Sequence, residues 1–407
     1  MKTLGKKIAL HPNIGSVILA YVAFVALGLP DGLLGVAWPS IRISFSIPLD
    51  AIGMLMTASV AGYLTTSFLS GPLVSRLGIG KVLPISCTLI ATALIGYTLV
   101  PTWWMVALLG ILAGSGAGAI DAGLNGYIAA NFNEGMMQWL HASYGIGITL
   151  SPLIMTAALS TFNSWRVGYR TVAGIQLAMA AVFLLTLSLW NRRESTVKTT
   201  EETKQPADYK IQMRETVSRP KVWLSVSLFF LYVGGELSLG TWVYSLLTES
   251  RGIDPTLAGL FAGSFWFTFT LSRILAGLYA KRIGADHLIQ GSIAAALVGV
   301  ILLIWNPSQA ANLLAVALIG FSIAPTYPAL MSGTRLRVGK RLAANVIGMQ
   351  VAAAGLGGAL IPSLLGVLAN RFTLEVIPTC LLVDFIALFG MYRLSMFFRK
   401  TNEENDL

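Results

Sequence analysis

Apolar stretches of about twenty residues follow one another along the whole chain, divided by short polar segments that carry Gly, Pro and charge. A helix of that length covers the hydrocarbon core of a bilayer, about 30 Å. The pattern predicts twelve spans, at 14–39, 50–75, 82–100, 103–130, 137–161, 168–190, 222–248, 256–280, 286–305, 310–332, 343–369 and 374–398. Ten-residue alternation of polar and apolar positions is absent, which argues against a membrane β-barrel. One polar segment stands out. Asn191–Lys221 holds eight basic residues and several acids. It has too little apolar surface to fold in lipid, so it reads as a solvated linker, with an amphipathic piece expected near Tyr209–Val217. The chain therefore divides into a first six-helix half (1–190), a linker (191–221) and a second six-helix half (222–407). The fold class is an all-α integral membrane protein.

Composition narrows the picture. Of 407 residues, 55% are hydrophobic and only 11% charged. A soluble chain carries about 25% charge. The net charge of +10 resides in connecting segments rather than in a patch interleaved with aromatics, so nucleic acid is not an expected partner. With the N-terminus inside, the cytoplasmic segments hold 22 Lys and Arg and the outer segments 5, leaving Arg273 within a span. That split places both termini in the cytoplasm and makes the chain a multi-pass protein of the cell membrane. The first apolar run is too long for a cleavable signal and lacks a small-residue cleavage site. Cys87 and Cys380 both lie in apolar runs and read as small core residues. Three histidines, with no metal-ligand spacing and no phosphate-binding loop, leave no case for an enzyme, an ATP-driven machine or a metal site.

The two halves repeat. Phe24–Trp38 is an apolar run with one acid, Asp31, and Phe230–Tyr244 is another with one acid, Glu236; the acids are 205 residues apart. The segment from Gly71 through Arg76 to Gly78 matches that from Gly277 through Arg282 to Gly284 at an offset of 206. Gly145, Gly147 and Pro152 match Gly355, Gly357 and Pro362 at 210, and Gly114 aligns with Gly320. Parallel six-helix repeats set a pseudo-twofold axis along the membrane normal, with the pathway between the halves.

These features together resemble the major facilitator superfamily. Gly71–Lys81 is a degenerate form of its signature loop after the second span, with Ser75 where the family has Asp, so the capping carboxylate of that loop is missing. The Trp165-Arg166-x-x-Tyr169 sequence before the sixth span is similar to another habit of the superfamily. Asp121-x-x-x-Asn125 after a Gly-rich run, with His141-x-x-Tyr144-Gly145-x-Gly147, resembles the fucose permease-like group, which contains sugar:proton symporters. The resemblance implies twelve helices in two pseudo-symmetric halves, a monomer, and proton coupling and sugar contact at carboxylates in the first and fourth spans. Those positions here are Asp31 and Asp121.

An acid within lipid is costly and marks a functional site by default. Asp31, Asp121 and Glu236 are the expected proton-coupling groups. Pro30 removes a backbone donor before Asp31 and should loosen that turn. Gly28, Gly35 and Trp38 share the Asp31 face, and the indole offers a sugar-stacking surface. Asp121 and Asn125, four residues apart, could meet sugar hydroxyls or ligate sodium; the other reading is an interhelical clamp. Gly234-Gly235 should break the helix before Glu236. Arg273 reads first as a structural or gating partner, of Glu236 among others, and second as an anion binder. His141, Tyr144, Trp266, Tyr327 and Gln350 complete the expected solute site, Tyr327 being the repeat counterpart of Asp121. Gly71, Arg76, Gly78, Gly277, Arg282 and Gly284 are expected to act structurally or in gating. Asp384, in the last span, reads as a structural or interface residue. The expected function is secondary active transport of a small polar solute, first a sugar, by alternating access with a proton gradient and no cofactor; sodium stays open as the coupling ion. Proton-coupled efflux of a drug or metabolite is the alternative, and a non-transporting receptor the remote one.

Overall fold

Among the described residues, twelve long helical spans carry the chain back and forth. The computed structural model describes residues 14–131, 134–191, 215–339 and 342–405. The helices are α1 (Ile14–Phe45), α2 (Ile52–Leu77), α3 (Ile79–Leu99), α4 (Trp103–Asn131), α5 (Glu134–Phe162), α6 (Trp165–Leu185), α7 (Pro220–Ser245), α8 (Pro255–Ile283), α9 (Ala285–Trp305), α10a (Gln309–Ile323), α10b (Thr326–Ser332), α11 (Ala343–Arg371) and α12 (Val376–Asn405). With α10a and α10b taken together, eleven spans among the described residues are long and apolar enough to cross a membrane. α8, 29 residues long, is the twelfth helix of membrane length. Phe68, Leu185 and Trp305 are more than 70% exposed on the outside of the bundle, while Leu33, Phe265 and Val300 are fully enclosed. An apolar exterior of this kind suits lipid rather than water. Most of the linker, 192–214, lies outside the described residues, so the expected amphipathic piece is seen only from Glu215 onward.

Where the helices turn, the sequence gives the reason. α2 ends at Gly78 with φ +78° and α8 at Gly284 with φ +80°. Both need a residue without a Cβ, which accounts for the last glycine of the repeated loop motif. Arg76 and Arg282 beside them are exposed, and the surroundings of Gly71 and Gly277 lie outside the described residues. Asp254 caps α8 by accepting from the amides of Thr256 (2.9 Å) and Leu257 (3.1 Å).

Three local expectations are corrected. Pro30 does not open α1, which runs unbroken over 32 residues. A proline leaves the carbonyl four residues back without its donor; here that is Ala26, and the buried Gln176 of α6 donates its Nε2–H to it at 2.7 Å. Gly234-Gly235 does not break α7 either, because neighbouring helices hold both sides: Ile361 packs on Gly234, and Asp384 and Phe385 on Gly235. The tenth span, read as one run over 310–332, is interrupted at Ala324–Pro325. Pro325 and Pro328 withdraw two amide donors within four residues, more than one helical turn can lose.

Contacts inside the first six helices recur inside the second six. Gly147 of α5 lies against the Val25 carbonyl of α1, and Gly357 of α11 against the Phe230 carbonyl of α7. Gly114 of α4 meets the Ser59 carbonyl of α2, and Gly320 of α10a the Phe265 carbonyl of α8. Small residues let membrane helices approach backbone to backbone. Between the two sets, α1 packs on α7, α2 on α11 and α5 on α8. A Cβ on Gly35 would lie 2.6 Å from the Gly240 carbonyl, and one on Gly53 would lie 2.9 Å from Ser363. Arg42, near the end of α1, forms an ion pair with Glu249 in the π-helical turn Leu246–Ser250 that follows α7. This joins the sets at the far end of the bundle, opposite the end where α1 starts and α12 finishes.

Candidate functional site

Halfway along the seam, carboxylates and phenols from several helices converge. Asp31, Tyr63, Asp121, Tyr144, Glu236 and Arg273 each lie at least nine residues from both ends of their helix, or about 13 Å. Asp31 is nonetheless exposed. Its neighbours are polar groups of α4 and α5, so the space it faces is internal to the bundle rather than lipid.

On the α1–α6 side, each carboxylate is held by a phenol from another helix. Tyr144 of α5 donates to Asp31 Oδ2 at 2.6 Å. Tyr63 of α2 donates to Asp121 Oδ2 at 2.5 Å, and Asn125 Nδ2 to Asp121 Oδ1 at 2.9 Å. With its amino group committed to the carboxylate, Asn125 leaves its own Oδ1 enclosed and without a donor among the described residues. Asp31 and Asp121 interact through charge. His141, on the same face as Asp121, sets its ring edge-on to Phe24 at 5.9 Å.

Opposite lies a second group. Glu236 of α7, 9% exposed, is within electrostatic reach of Arg273 of α8. The direct ion pair weighed for them does not form in this arrangement. Arg273 stacks on Phe269 at 4.3 Å and donates its Nε–H to the Ala324 carbonyl at 3.3 Å. That carbonyl is free because its helical donor would be the missing N–H of Pro328. Tyr327, just past the break, packs edge-on against Phe229 at 5.1 Å and lies within charge range of Arg273, Glu236 and Asp121. Further pairs reach across the seam: His141 with Arg273, Tyr144 with Glu236, and Tyr63 with Tyr327. Thr149 of α5 and Thr270 of α8 bring hydroxyls within 3.3 Å of each other beside them.

The structure thus gathers Asp31, Asp121, Asn125, His141, Tyr144, Glu236, Arg273 and Tyr327 in one zone. It leaves three expected solute contacts elsewhere. Trp38 is fully enclosed and tilted against Trp103 at 5.3 Å, with no free ring face. Trp266, 4% exposed, fills the hollow over Gly240 and packs on Phe265 and Phe269. Gln350 is fully buried in a hydrogen-bonded set with Ser225 (2.8 Å) and Thr334 (3.1 Å) that also takes in Arg337. Helical spacing fixes the face that Trp38 and Trp266 lie on but not what covers it, and for Gln350 the reading rested on residue type and span alone. Tyr232, a turn before Glu236, escaped the sequence reading, though that four-residue spacing could have flagged it. An open groove of about 650 Å³ between α2 and α4, lined by Met54, Thr57, Trp104 and Leu108 among others, is almost wholly apolar and lies away from these charges.

Comparison with known proteins identifies the family and the fold. Residues 20–362 match the family model described as Major Facilitator Superfamily. The glucose/mannose transporter GlcP of Bacillus subtilis (strain 168) is 22% identical over 364 residues, covering 88% of this chain and 89% of that protein. The sodium-dependent glucose transporter 1 of Homo sapiens is 25% identical over 395 residues, covering 86% and 73%. Among solved structures, a mutant of the nucleoside transporter NupG superposes with a TM-score of 0.78 at 14% identity, covering 93% of this chain and 98% of that one. A bacterial homologue of the human lysosomal transporter Spinster, inward-facing and unoccupied, gives 0.76 at 14% identity, covering 95% and 97%.

Proposed function

Since the chain belongs to the Major Facilitator Superfamily, we propose that it moves a small hydroxylated solute, a sugar, across the membrane by alternating access, coupled to a proton. The observation that carries this reading is the facing of two walls. One wall presents Asp31 and Asp121, each bonded to a tyrosine of a neighbouring helix; the other presents Glu236, Arg273 and Tyr327. Carboxylate, amide and phenol groups supply both donors and acceptors for hydroxyls. An apolar drug would find little to bind there, which favours sugar uptake over efflux. A carboxylate between two packed half-bundles changes its surroundings when the seam reopens on the other side, so a proton taken in one state is released in the other. The termini are assigned to the cytoplasm by the 22-to-5 division of basic residues.

A second reading, sodium as the coupling ion, draws on the enclosed, donor-free Asn125 Oδ1 beside the Asp121 carboxylate. Two relatives are named sodium-dependent glucose transporters. Uptake of glucose and mannose into vesicles under an imposed proton gradient, and separately a sodium gradient, distinguishes the two. Accumulation is expected to follow the proton gradient. It is expected to be abolished by Asp31→Asn or Asp121→Asn, with insertion and melting behaviour retained. Normal accumulation by both variants would overturn the assignment of coupling to these acids. Accumulation that follows sodium alone, and is lost in Asn125→Leu, would replace the proton by sodium.

A further inference from the structure

Tyr232 sits where the second wall is assembled. Its side chain is 1% exposed, and its hydroxyl donates to the Ile323 carbonyl at 3.1 Å, the last residue of α10a before the break. The Glu236 carboxylate, one turn along α7, is within hydrogen-bonding reach of the same hydroxyl, and so is the Arg273 guanidinium. A phenol has one proton to give and lone pairs to receive. Two acceptors therefore compete for a single donor: a carboxylate that contacts the pathway and a backbone carbonyl at the hinge of α10. Charge-assisted bonds are about twice as strong as neutral ones, so the winner depends on whether Glu236 is charged and free or is neutralised or occupied. The present arrangement, with the hydroxyl donating to the Ile323 carbonyl, is one of the two.

We infer that Tyr232 is a positioning residue whose hydroxyl shifts its hydrogen bond between Glu236 and the Ile323 carbonyl, tying the state of the carboxylate to the set of the break between α10a and α10b. Through that break it also sets Tyr327, whose ring lies 5.9 Å from that of Tyr232. Arg273 completes the link by holding the neighbouring Ala324 carbonyl from α8. The charged and titratable groups around Glu236 are Arg273 on α8, Tyr327 on α10b and Tyr144 on α5. Asp384 of α12 packs at Gly235, Asp31 lies on α1, and the charge on α11 is Arg371 at its far end. The inference rests on the reading of Glu236 as a pathway group.

Hydrogen exchange of the full-length purified chain, followed on the peptide spanning residues 321–333, tests it by a double-mutant cycle. Glu236→Gln is expected to slow exchange there by about threefold or more, because the hydroxyl then commits to Ile323. Tyr232→Phe keeps the ring and removes the proton. In that background Glu236→Gln is expected to leave exchange unchanged within about 1.5-fold. An equal effect of Glu236→Gln with and without the hydroxyl would overturn the inference, since a purely packing role predicts additivity. If Tyr232→Phe does not fold, Glu236→Asp provides the test. Withdrawing the carboxylate by one methylene should slow exchange as Glu236→Gln does, and an unchanged rate would overturn the inference. The readout needs no transport, so a chain that fails to accumulate sugar would leave this result standing.

Discussion

Pro30 and Pro328 take the same thing from the backbone, the amide that a carbonyl one turn earlier would use. In each case a side chain from another helix replaces it. Gln176 serves Ala26, and Arg273 serves Ala324. The outcomes differ because Pro30 is alone in its turn whereas Pro325 and Pro328 act together, so α1 survives and the tenth span does not. The prolines are legible in the sequence. Their rescuers are not, since Gln176 lies 150 positions from Ala26 and nothing local announces the pairing. A similar long-range brace lies outside the membrane core. Arg251, with a side chain 4% exposed, donates to both carboxylate oxygens of Glu375 (2.9 and 2.7 Å), to Asn312 Oδ1 (2.6 Å) and to the Leu303 carbonyl (2.8 Å). The Arg251 hydrogen bonds hold the Glu375 carboxyl below the ordinary glutamate range. A carboxylate whose folded value is depressed stabilises above its unfolded value, about 4.3, and loses that contribution as pH falls through the folded one. Glu375→Gln is therefore expected to lower the melting temperature near neutral pH, and the gap should close in acid. Because Glu375 is 42% exposed, screening keeps the effect to about 1 kcal/mol or less. Thermal unfolding of both proteins across pH 3–8 checks it; a gap that widens in acid would contradict the assignment.

Helices were the most legible level. An apolar run near twenty residues can satisfy its backbone in lipid only as a helix, so positions and number could be read from hydropathy alone. What a helix face touches could not. Trp38 shares the Asp31 face by spacing but is covered by Trp103, and Gln350 is spent on Ser225 and Thr334. The repeated glycines fared better, because they mark the same close approach in both sets. This yields an element-scale prediction. Gly147→Ala and Gly357→Ala would each drive a methyl into a backbone carbonyl of a neighbouring helix, whereas a Cβ at Gly174 or Gly291 meets nothing within 4 Å. Overpacking of this kind typically costs about 1–3 kcal/mol. Gly147→Ala and Gly357→Ala should lower the melting temperature clearly, and Gly174→Ala and Gly291→Ala should leave it within a degree or two. Equal behaviour of the two pairs in a detergent-solubilised melt would argue against the packing described here.

At the scale of the whole molecule, the sequence disclosed the duplication through Asp31 and Glu236 but not which helices meet across the seam, because inter-half contacts carry no periodic signal. The Arg42–Glu249 ion pair is one such contact, with both side chains partly exposed at 26% and 29%. It holds the far end of the seam together, so its loss should favour opening on that side. Arg42→Glu or Glu249→Arg alone is expected to raise the labelling rate of a cysteine placed at Thr241 by a membrane-impermeant thiol reagent added on the side opposite the termini. The double exchange should restore it. The single variants labelling no faster than the parent would show that the pair does not restrain the seam. Gly35 and Gly240 give the seam a further property. They occupy corresponding places in the duplicated sequence, 205 residues apart, and they touch. Two corresponding points of a twofold object lie side by side only near its rotation axis, so this contact lies close to that axis. When the two bodies tilt against each other, material on the axis travels least. In the rocking proposed above, the Gly35–Gly240 contact is therefore expected to persist as a fulcrum while contacts further from it change partners.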